Sequence, residues 1–256
     1  KNLCLAGGVA LNCVSNGKIL EKNWFKNIYI QPAAGDAGGA VGAALFVYFN
    51  GLGNTYPLSG GRVMETVYLG SAYNSAEIEE FLNNGVKEII GENNKVVYTK
   101  LSADEITSKV SDLITGNNVI GLFNGRMEYG PRSLGNRSII ADARNKENWQ
   151  KVNLKIKFRE SFRPFAPTVL EDKLGECFDI KVPSPYMLLV APVKRTDVPA
   201  ITHVDNSARI QSVSREQNPR YYDIIKAFYD KTGCPVIINT SFNVRGEPIV
   251  MSPRDA

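Results

Sequence analysis

The sequence predicts an α/β protein. Twice within the first 50 residues, a short apolar run ends in a glycine-rich turn and is followed by a helix-forming segment. Further along, β-branched apolar runs alternate with segments that open on helix-capping signals. The chain has 256 residues, of which 43% are apolar and 22% charged, so it can bury a core in one or two domains. We therefore expect helices packed on sheets.

The N-terminal region is expected to hold two strand–turn–helix units and a linker. In chain order we predict a strand over residues 3–6, a helix over residues 10–21, a strand over residues 27–30, a glycine-rich loop over residues 32–39, a helix over residues 39–49 and a linker over residues 51–61. Four glycines and Pro57 give that linker the strongest turn composition in the chain. A second region begins near Thr66.

Two capping boxes predict the first helices of the second region. Asn74 and Glu77 open a helix that runs to about residue 90, and Ser102 and Glu105 open one that runs to about residue 115. Residues 118–123 then form a strand that leads into a segment rich in arginine.

The C-terminal half shows helix and strand signals in turn. Residues 147–155 are predicted to be helical, and residues 186–191 to form a strand. Pro219 occupies the first position of a helix that runs to about residue 231, with Asn218 as its cap. Residues 235–239 form a buried β-branched strand that ends in a polar turn.

The counts of cysteine and histidine restrict the chemistry. Four cysteines without C-x-x-C spacing predict reduced thiols in a cytoplasmic protein. The single histidine, His203, cannot build a histidine-rich metal site alone. The longest apolar run, residues 40–49, is shorter than the roughly 20 residues that span a bilayer. Because the chain begins at Lys1 within a strand and stops at what resembles a helix start, we expect a fragment of a longer protein.

Positive charge is concentrated in residues 124–165. This stretch holds ten Lys and Arg residues and four acidic residues, an excess of six, whereas the whole chain carries +4. Four of its arginines stand beside Gly, Pro, Ser or Asn: Arg126, Arg132, Arg137 and Arg163. Arginines among turn residues are typical of rigid sites for phosphate or carboxylate. Lys157 and Arg159 are expected on one face of an extended segment.

Three interpretations of this basic stretch remain open at this point. A pocket for a small anion is favoured because glycines and prolines bend the chain. A nucleic-acid surface would instead spread its cations along one face with exposed aromatic rings. A solvated rim is the third interpretation.

Two glycine-rich turns near the N-terminus can each be interpreted in two ways. Gly7 and Gly8 follow a strand and open a helix, where backbone N–H groups can approach a phosphate, but they also suit a tight turn. Gly35 and Asp36 repeat this arrangement. The Asp36 carboxylate could bind a metal or a ribose, or simply cap the next helix.

Two polar segments late in the chain are further candidates. His203 has no evident Ser or Cys partner, so a packed histidine is favoured over a catalytic base. Arg209, between small and apolar neighbours, is a candidate ligand contact. The turn over residues 239–243 offers two amides and two hydroxyls to phosphate oxygens or a carbamoyl group, or it is a polar strand end.

Six sequence blocks occur in order along the whole chain. They are GGVALN at residues 7–12, GDAG at residues 35–38, GRMEYGPRSLGNRSI at residues 125–139, KFRESFRPFAP at residues 157–167, HVDNSARIQSV at residues 203–213 and NTSFNVRGEPIV at residues 239–250. Together they resemble the C-terminal half of the ATP-dependent O-carbamoyltransferases. That family includes the nodulation carbamoyltransferase and enzymes that tailor the antibiotics tobramycin and cephamycin.

The resemblance implies two domains. Residues 1–62 would be the C-terminal part of an actin-like carbamoyl-transfer domain, similar to the ATPase domain of threonylcarbamoyl-transfer proteins. Residues 66–256 would be a YrdC-like α/β domain with a twisted sheet, similar to the threonylcarbamoyl-adenylate synthases. The signature of those synthases, Lys-x-Arg and later Ser-x-Asn, is matched at residues 157–159 and 241–243.

The resemblance also implies roles for individual residues. The catalytic residues would be Arg132, Lys157, Arg163 and Arg209. The substrate-binding residues would be Arg126, Arg159, Asn239, Ser241 and Asn243. The nucleotide-binding residues would be Gly7, Gly8, Asn12 and Gly35, and the metal ligand would be Asp36.

The implied reaction uses ATP, carbamoyl phosphate and a small-molecule acceptor with a hydroxyl group, such as a sugar, an antibiotic or an oligosaccharide. A divalent metal, iron or magnesium, would bind Asp36 together with histidines upstream of Lys1. The sequence leaves the oligomeric state open, with a homodimer as one option, and we expect no nucleic acid as a partner and no membrane span. Two alternatives stay open: a threonylcarbamoyl-adenylate synthase of tRNA modification, and a basic nucleic-acid-binding module. The fused region over residues 7–39 argues against a stand-alone synthase.

Overall fold

A six-stranded mixed sheet forms the centre of the fold. The computed structural model describes residues 1–56, 64, 66–91, 96–158 and 163–256. The sheet strands are β3 (Ile120–Phe123), β4 (Arg137–Asp142), β5 (Ala166–Leu170), β6 (Leu189–Pro192), β7 (Ser207–Val213) and β8 (Val236–Ser241). Their order is β3-β4-β8-β5-β7-β6, and every neighbouring pair is antiparallel except β5 and β7. The predicted α/β class is confirmed.

A second, two-stranded sheet belongs to the N-terminal region. Its parallel strands are β1 (Asn2–Leu5) and β2 (Asn27–Ile30). The helices of this region are α1 (Cys13–Glu21), which follows a 3-10 turn, and α2 (Asp36–Phe46), which continues into a π turn at Val47–Gly51. Helix α2 begins at Asp36 and not at residue 39, so the glycine-rich loop is shorter than predicted.

Both predicted capping boxes are present. The helices after them are α3 (Ser75–Glu80), α4 (Lys87–Ile90) and α5 (Ala103–Thr115). A π turn at Phe81–Gly85 separates α3 from α4, so the single predicted helix is interrupted. The side chains of Asn74 and Ser102 accept hydrogen bonds from the third residue of their helices, as the capping pattern predicts.

Two long helices cover the sheet. The remaining helices are α6 (Lys146–Lys151), α7 (Leu174–Cys177) and α8 (Pro219–Thr232). Helices α5 and α8 pack on each other, α5 against β3 and β4, and α8 against β5 and β8. Pro219 is the first residue of α8 and Asn218 caps it through the amide of Tyr221, as predicted. Gly233 ends the helix in the left-handed conformation.

The core lies between these helices and the sheet. Side chains from α8, β4 and β8, among them Ile224, Phe228, Ile140 and Ile237, are completely buried. Strands β4, β5 and β7 were not predicted. All six residues of β4 are buried, so the strand lacks the alternation of apolar and polar residues that marks a half-exposed strand.

Helix α1 docks on the edge strand β6 of the large sheet. The amide of buried Asn16 donates to the Leu188 carbonyl at 3.0 Å. A Cβ atom on Gly17 would lie 2.4 Å from the Val190 carbonyl oxygen, so only glycine allows this approach. The N-terminal region is thereby fixed to the large sheet at this point.

The predicted linker and the boundary between the two implied domains fall largely on residues 57–63 and 65, outside the described residues. No helix in the described ranges is long and apolar enough to cross a membrane.

Candidate anion-binding site

Lys157 is the centre of the candidate site. It follows a π turn at Val152–Ile156, where its backbone amide donates to the Val152 carbonyl at 2.9 Å. The side chain is 8% exposed. Its ammonium group donates to the carbonyl and hydroxyl oxygens of Ser241 at 2.5 and 3.1 Å and to the carbonyl and side-chain oxygens of Asn243 at 3.0 and 2.6 Å. These four oxygens carry no formal charge.

The end of β8 presents those oxygens. Ser241 is the last residue of the strand, and its hydroxyl donates to the Asn243 side-chain oxygen at 2.7 Å. The Asn243 amide nitrogen donates to the Glu247 carbonyl at 2.7 Å, which fixes the orientation of the amide. Residues 241–243 therefore form a rigid turn around Lys157.

A cavity of about 380 Å³ opens beside this turn, and we call it the Lys157 cavity. Its lining residues are Lys157, Phe158, Arg163, Thr240, Ser241, Asn243, Val244, Arg245 and Gly246. Among these described residues, three are cations and none is acidic. Its volume lies at the lower end of the range of small-molecule sites. The cavity therefore suits a small anion.

Arg245 is a site residue that the sequence interpretation missed. Its guanidinium group donates to the Phe158 carbonyl at 2.9 Å, which links the turn after β8 to the segment after Lys157. The only sequence signal was a cation next to Gly246 within the NTSFNVRGEPIV block.

We predicted an extended segment over residues 157–159. This prediction was wrong for residues 157 and 158, which the structure describes. Lys157 ends a helical turn, and Phe158 has a left-handed backbone with φ of 45°. Arg159 lies outside the described residues, so its predicted role stays a prediction.

Arg163 connects the Lys157 cavity to a second one. Its carbonyl accepts hydrogen bonds from the Trp149 indole at 2.6 Å and the Asn153 amide at 2.9 Å, which fix its backbone. Its side chain lines both the Lys157 cavity and a cavity of about 520 Å³ that contains Arg209. We call the latter the Arg209 cavity.

The Arg209 cavity lies between α1 and the edge of the large sheet. Arg209 comes from β7, opposite Val190 of β6, while His203 and Asp205 come from the turn before β7. Burial lowers the pKa of His203, which favours the neutral imidazole. Asp205 accepts hydrogen bonds from the hydroxyl and amide of Ser207, and the hydroxyl bond is the main cause that lowers the pKa of this carboxyl.

The block at residues 125–139 wraps around a carboxylate of the protein itself. One oxygen of buried Glu128 accepts hydrogen bonds from the amides of Leu134, Asn136 and Arg137 at 2.6, 2.8 and 3.3 Å. Convergent amides of this kind bind anions in many proteins. Here Glu128 fills that position, so the glycines of the block fold the chain around Glu128.

Arg137 binds backbone carbonyls and does not face an anion cavity. It is completely buried, and its guanidinium group donates to the carbonyls of Asn124, Gly125, Asn136 and Ser71 at 2.8–3.2 Å. It also lies over the Phe123 ring at 3.6 Å. Its place among turn residues therefore has a structural cause, contrary to the anion-binding interpretation.

Arg126 and Arg132 line neither cavity. The exposed Arg126 donates to the Leu69 carbonyl at 2.9 Å. The Nε atom of Arg132 is buried and has no hydrogen-bond partner in the described part of the chain. Their loop contacts the N-terminal region, because the Tyr129 hydroxyl donates to the Ala37 carbonyl and Gly130 packs on Ala33.

Asn239 lies in a buried polar network behind the site. Its amide donates to the side chains of Gln211 and Thr168 at 2.7 and 3.1 Å and to the Ser133 carbonyl at 3.2 Å. The side chain lines neither cavity. This network ties β8 to β5 and β7, whereas Ser241 and Asn243 reach the Lys157 cavity.

The N-terminal candidates stand apart from the Lys157 cavity. Gly7 has φ of 88°, and a Cβ on Gly7 or Gly8 would meet open space. The Asn12 side chain caps α1 by accepting from the Ser15 amide at 3.1 Å, so it has a structural role.

The described residues do not complete a metal site. Gly35 is the N-cap of α2, and Asp36 is exposed in its first turn. Within the described ranges, no group of three or more His, Cys, Asp or Glu side chains could hold a metal ion. A lone carboxylate does not fit a divalent ion that needs several ligands. We therefore assign no step to a metal, and the predicted metal role of Asp36 stays a prediction.

The site is a rigid, cationic cavity on a mixed α/β sheet. It therefore belongs to the class of anion-binding sites. The family model of the carbamoyltransferase C-terminus matches residues 111–256, and that of the carbamoyltransferase N-terminus matches residues 1–45. The chain therefore belongs to the carbamoyltransferase family of transferase enzymes.

Curated relatives agree with the family assignment. The chain is 50% identical to an uncharacterised protein of Synechocystis, 44% to nodulation protein NolNO of Sinorhizobium fredii and 43% to nodulation protein NolO of Bradyrhizobium diazoefficiens. These matches cover 100%, 100% and 99% of this chain, and 44%, 37% and 45% of the relatives. The chain thus spans less than half the length of these relatives.

Proposed function

We propose that this chain is part of an ATP-dependent O-carbamoyltransferase and that the Lys157 cavity binds carbamoyl phosphate. The observation that carries this proposal is the Lys157 ammonium group, held by Ser241 and Asn243 in a cavity whose described lining residues include three cations and no carboxylate. In domain terms, residues 66–256 would form the YrdC-like unit and residues 1–62 the end of the actin-like unit.

The chemistry of the lining suits both ends of carbamoyl phosphate. The phosphate dianion would bind Lys157, Arg163 and Arg245, because a half-enclosed cavity strengthens charge attraction relative to water. The carbamoyl amide can donate to neutral oxygens of the turn over residues 240–243.

The proposed reaction has two steps. Water first converts carbamoyl phosphate into carbamate and inorganic phosphate. A carbamate oxygen then attacks the α-phosphorus of ATP, the bond between the α-phosphorus and the bridging oxygen breaks, and pyrophosphate leaves carbamoyl adenylate behind. Both reactants are anions, so the cations around the cavity would lower their repulsion and orient them.

Transfer completes the proposed cycle. An acceptor hydroxyl attacks the carbamoyl carbon of the adenylate, loses its proton and releases AMP. We place this step at the N-terminal region, where Gly7, Gly8, Asn12 and Gly35 would contact the nucleotide. The acceptor would be a sugar, an antibiotic or an oligosaccharide.

Pyrophosphate release tests this function. We expect release from ATP that depends on carbamoyl phosphate and needs no threonine. Release that requires threonine and bicarbonate would instead identify a threonylcarbamoyl-adenylate synthase. Micromolar, strongly salt-dependent binding of RNA without any pyrophosphate release would identify a nucleic-acid-binding module.

A further inference from the structure

Among the described residues that line the Arg209 cavity, one cation, Lys18, comes from the N-terminal region and not from the region of the large sheet. Helix α1 lines it with Val14, Lys18 and Glu21. These residues are four and three positions apart, so they share one face of the helix. The opposite wall is formed by β6 and β7 and includes Arg209. The two regions of the chain therefore meet across one cavity.

The position of Lys18 is fixed by its neighbours. Asn16 is 3% exposed and bonds to the carbonyls of Ala10 and Leu188 at 2.8 and 3.0 Å. The backbone of Gly17 lies so close to Val190 that a Cβ atom on Gly17 would overlap the Val190 carbonyl. Since Lys18 follows these two anchors directly, helix α1 cannot turn its cavity face away from Arg209 without breaking the contact.

The charges of the cavity favour an anion. Among the described lining residues, Lys18, Arg163 and Arg209 are opposed by the carboxylates of Glu21 and Asp205, and Asp205 already accepts two hydrogen bonds from Ser207. No ion pair in the described part of the chain includes Lys18, so its ammonium group can bind a ligand.

We propose that Lys18 binds the phosphoanhydride end of the substrate nucleotide, so that the anion site runs from the Lys157 cavity past Arg163 into the Arg209 cavity. This inference rests on the proposed function, because it assumes that the Lys157 cavity holds the small phosphate substrate. The ligand class is a pyrophosphate group, either free or as the terminal phosphates of a nucleoside triphosphate. The site is then built by both regions of the chain.

Calorimetry with inorganic pyrophosphate tests this role. We expect Lys18→Met to weaken pyrophosphate binding roughly five- to tenfold and to reduce its salt dependence, because one charge-assisted contact is lost. Lys18→Arg should retain most of the affinity. The matched control is Lys22→Met, an exposed lysine at the end of the same helix outside the cavity, which should change affinity less than twofold. Repeating the titration with ATP shows whether the site takes free pyrophosphate or the terminal phosphates of a nucleoside triphosphate.

The same variants separate this inference from the proposed function. Phosphonoacetamide, in which a methylene replaces the bridging oxygen of carbamoyl phosphate, should bind Lys18→Met as it binds the unaltered protein. Equal pyrophosphate affinity in Lys18→Met and the unaltered protein overturns the role of Lys18, as does an equal loss in Lys22→Met. The proposed function survives that result if Lys157→Met still loses phosphonoacetamide. If the unaltered protein binds neither probe, both proposals fail.

Discussion

The ammonium nitrogen of Lys157 lies 2.6 Å from the side-chain oxygen of Asn243. That oxygen also accepts the Ser241 hydroxyl, while the amide nitrogen of Asn243 is bound to the Glu247 carbonyl. The amide cannot turn without losing one of these bonds. Asn243 therefore positions the cation of the Lys157 cavity in addition to any contact with substrate.

Replacing Asn243 should weaken anion binding without unfolding the protein. In Asn243→Ala the Lys157 ammonium group loses one charge-assisted hydrogen bond, so phosphonoacetamide should bind roughly tenfold more weakly. Calorimetry measures this directly. Asn84→Ala, an exposed asparagine distant in sequence from the site, is the control and should bind as the unaltered protein does. Equal affinity in both variants would contradict a positioning role for Asn243.

Glu128 should be important for stability because its carboxylate holds the loop over residues 134–137. Glu128→Gln keeps the shape but removes the charge from three backbone hydrogen bonds, so we expect a loss of about 2 kcal/mol in the free energy of unfolding. Urea denaturation measures this change. The exposed Glu216 gives the control, since Glu216→Gln should cost less than about 0.5 kcal/mol. A Glu128 variant as stable as its control would show that the loop holds its shape by other contacts.

The contact between α1 and β6 depends on Gly17. In Gly17→Ala the new methyl group would overlap the Val190 carbonyl, so we expect a loss of about 2 kcal/mol despite the better helix propensity of alanine. Gly39 is the matched control, because it lies inside α2 with open space where a Cβ would stand. Gly39→Ala should be neutral or stabilising by up to about 1 kcal/mol. Thermal unfolding that moves in the same direction for both variants would rule out the close contact.

The four cysteines should divide into two classes of reactivity. Burial raises the pKa of Cys177 to about 11 and also raises the pKa of Cys234, so at pH 8 only about one Cys177 in a thousand is a thiolate. Cys4 is exposed and Cys13 partly exposed. We expect two thiols to react quickly with Ellman's reagent and two only after denaturation. Rapid reaction remaining in a Cys4→Ser, Cys13→Ser double variant would show that the core opens readily.

Elements with local signals could be predicted from the sequence. The caps at Asn74, Ser102 and Asn218 act on amides within three residues, so the signal and its effect lie in the same short segment. Strand β4 carried no such signal because it is buried on both faces, and β5 contains Pro167, which usually argues against a strand. Both strands form because the folded core buries them, and the local sequence does not reveal that burial.

The candidate site was predictable only in part. Lys157 and the turn at Ser241 were each identified from the local sequence, but only the resemblance to a family placed them in one site, since they are 84 positions apart. Arg245 and Lys18 are single cations without a local pattern, so only the fold brings them to the cavities. Arg137 resembled the other loop arginines because the carbonyls that it binds are assembled by folding.

Carbamoyl phosphate recognition at the Lys157 cavity is the central claim, and one titration tests it most directly. Phosphonoacetamide binding should be measured by calorimetry for the unaltered protein, for Lys157→Met and for Lys181→Met, an exposed lysine outside the cavity. We predict that Lys157→Met loses more than about thirtyfold in affinity, since a positive charge is removed from a half-enclosed site, while Lys181→Met is unchanged. The same affinity in Lys157→Met and the unaltered protein would contradict the claim.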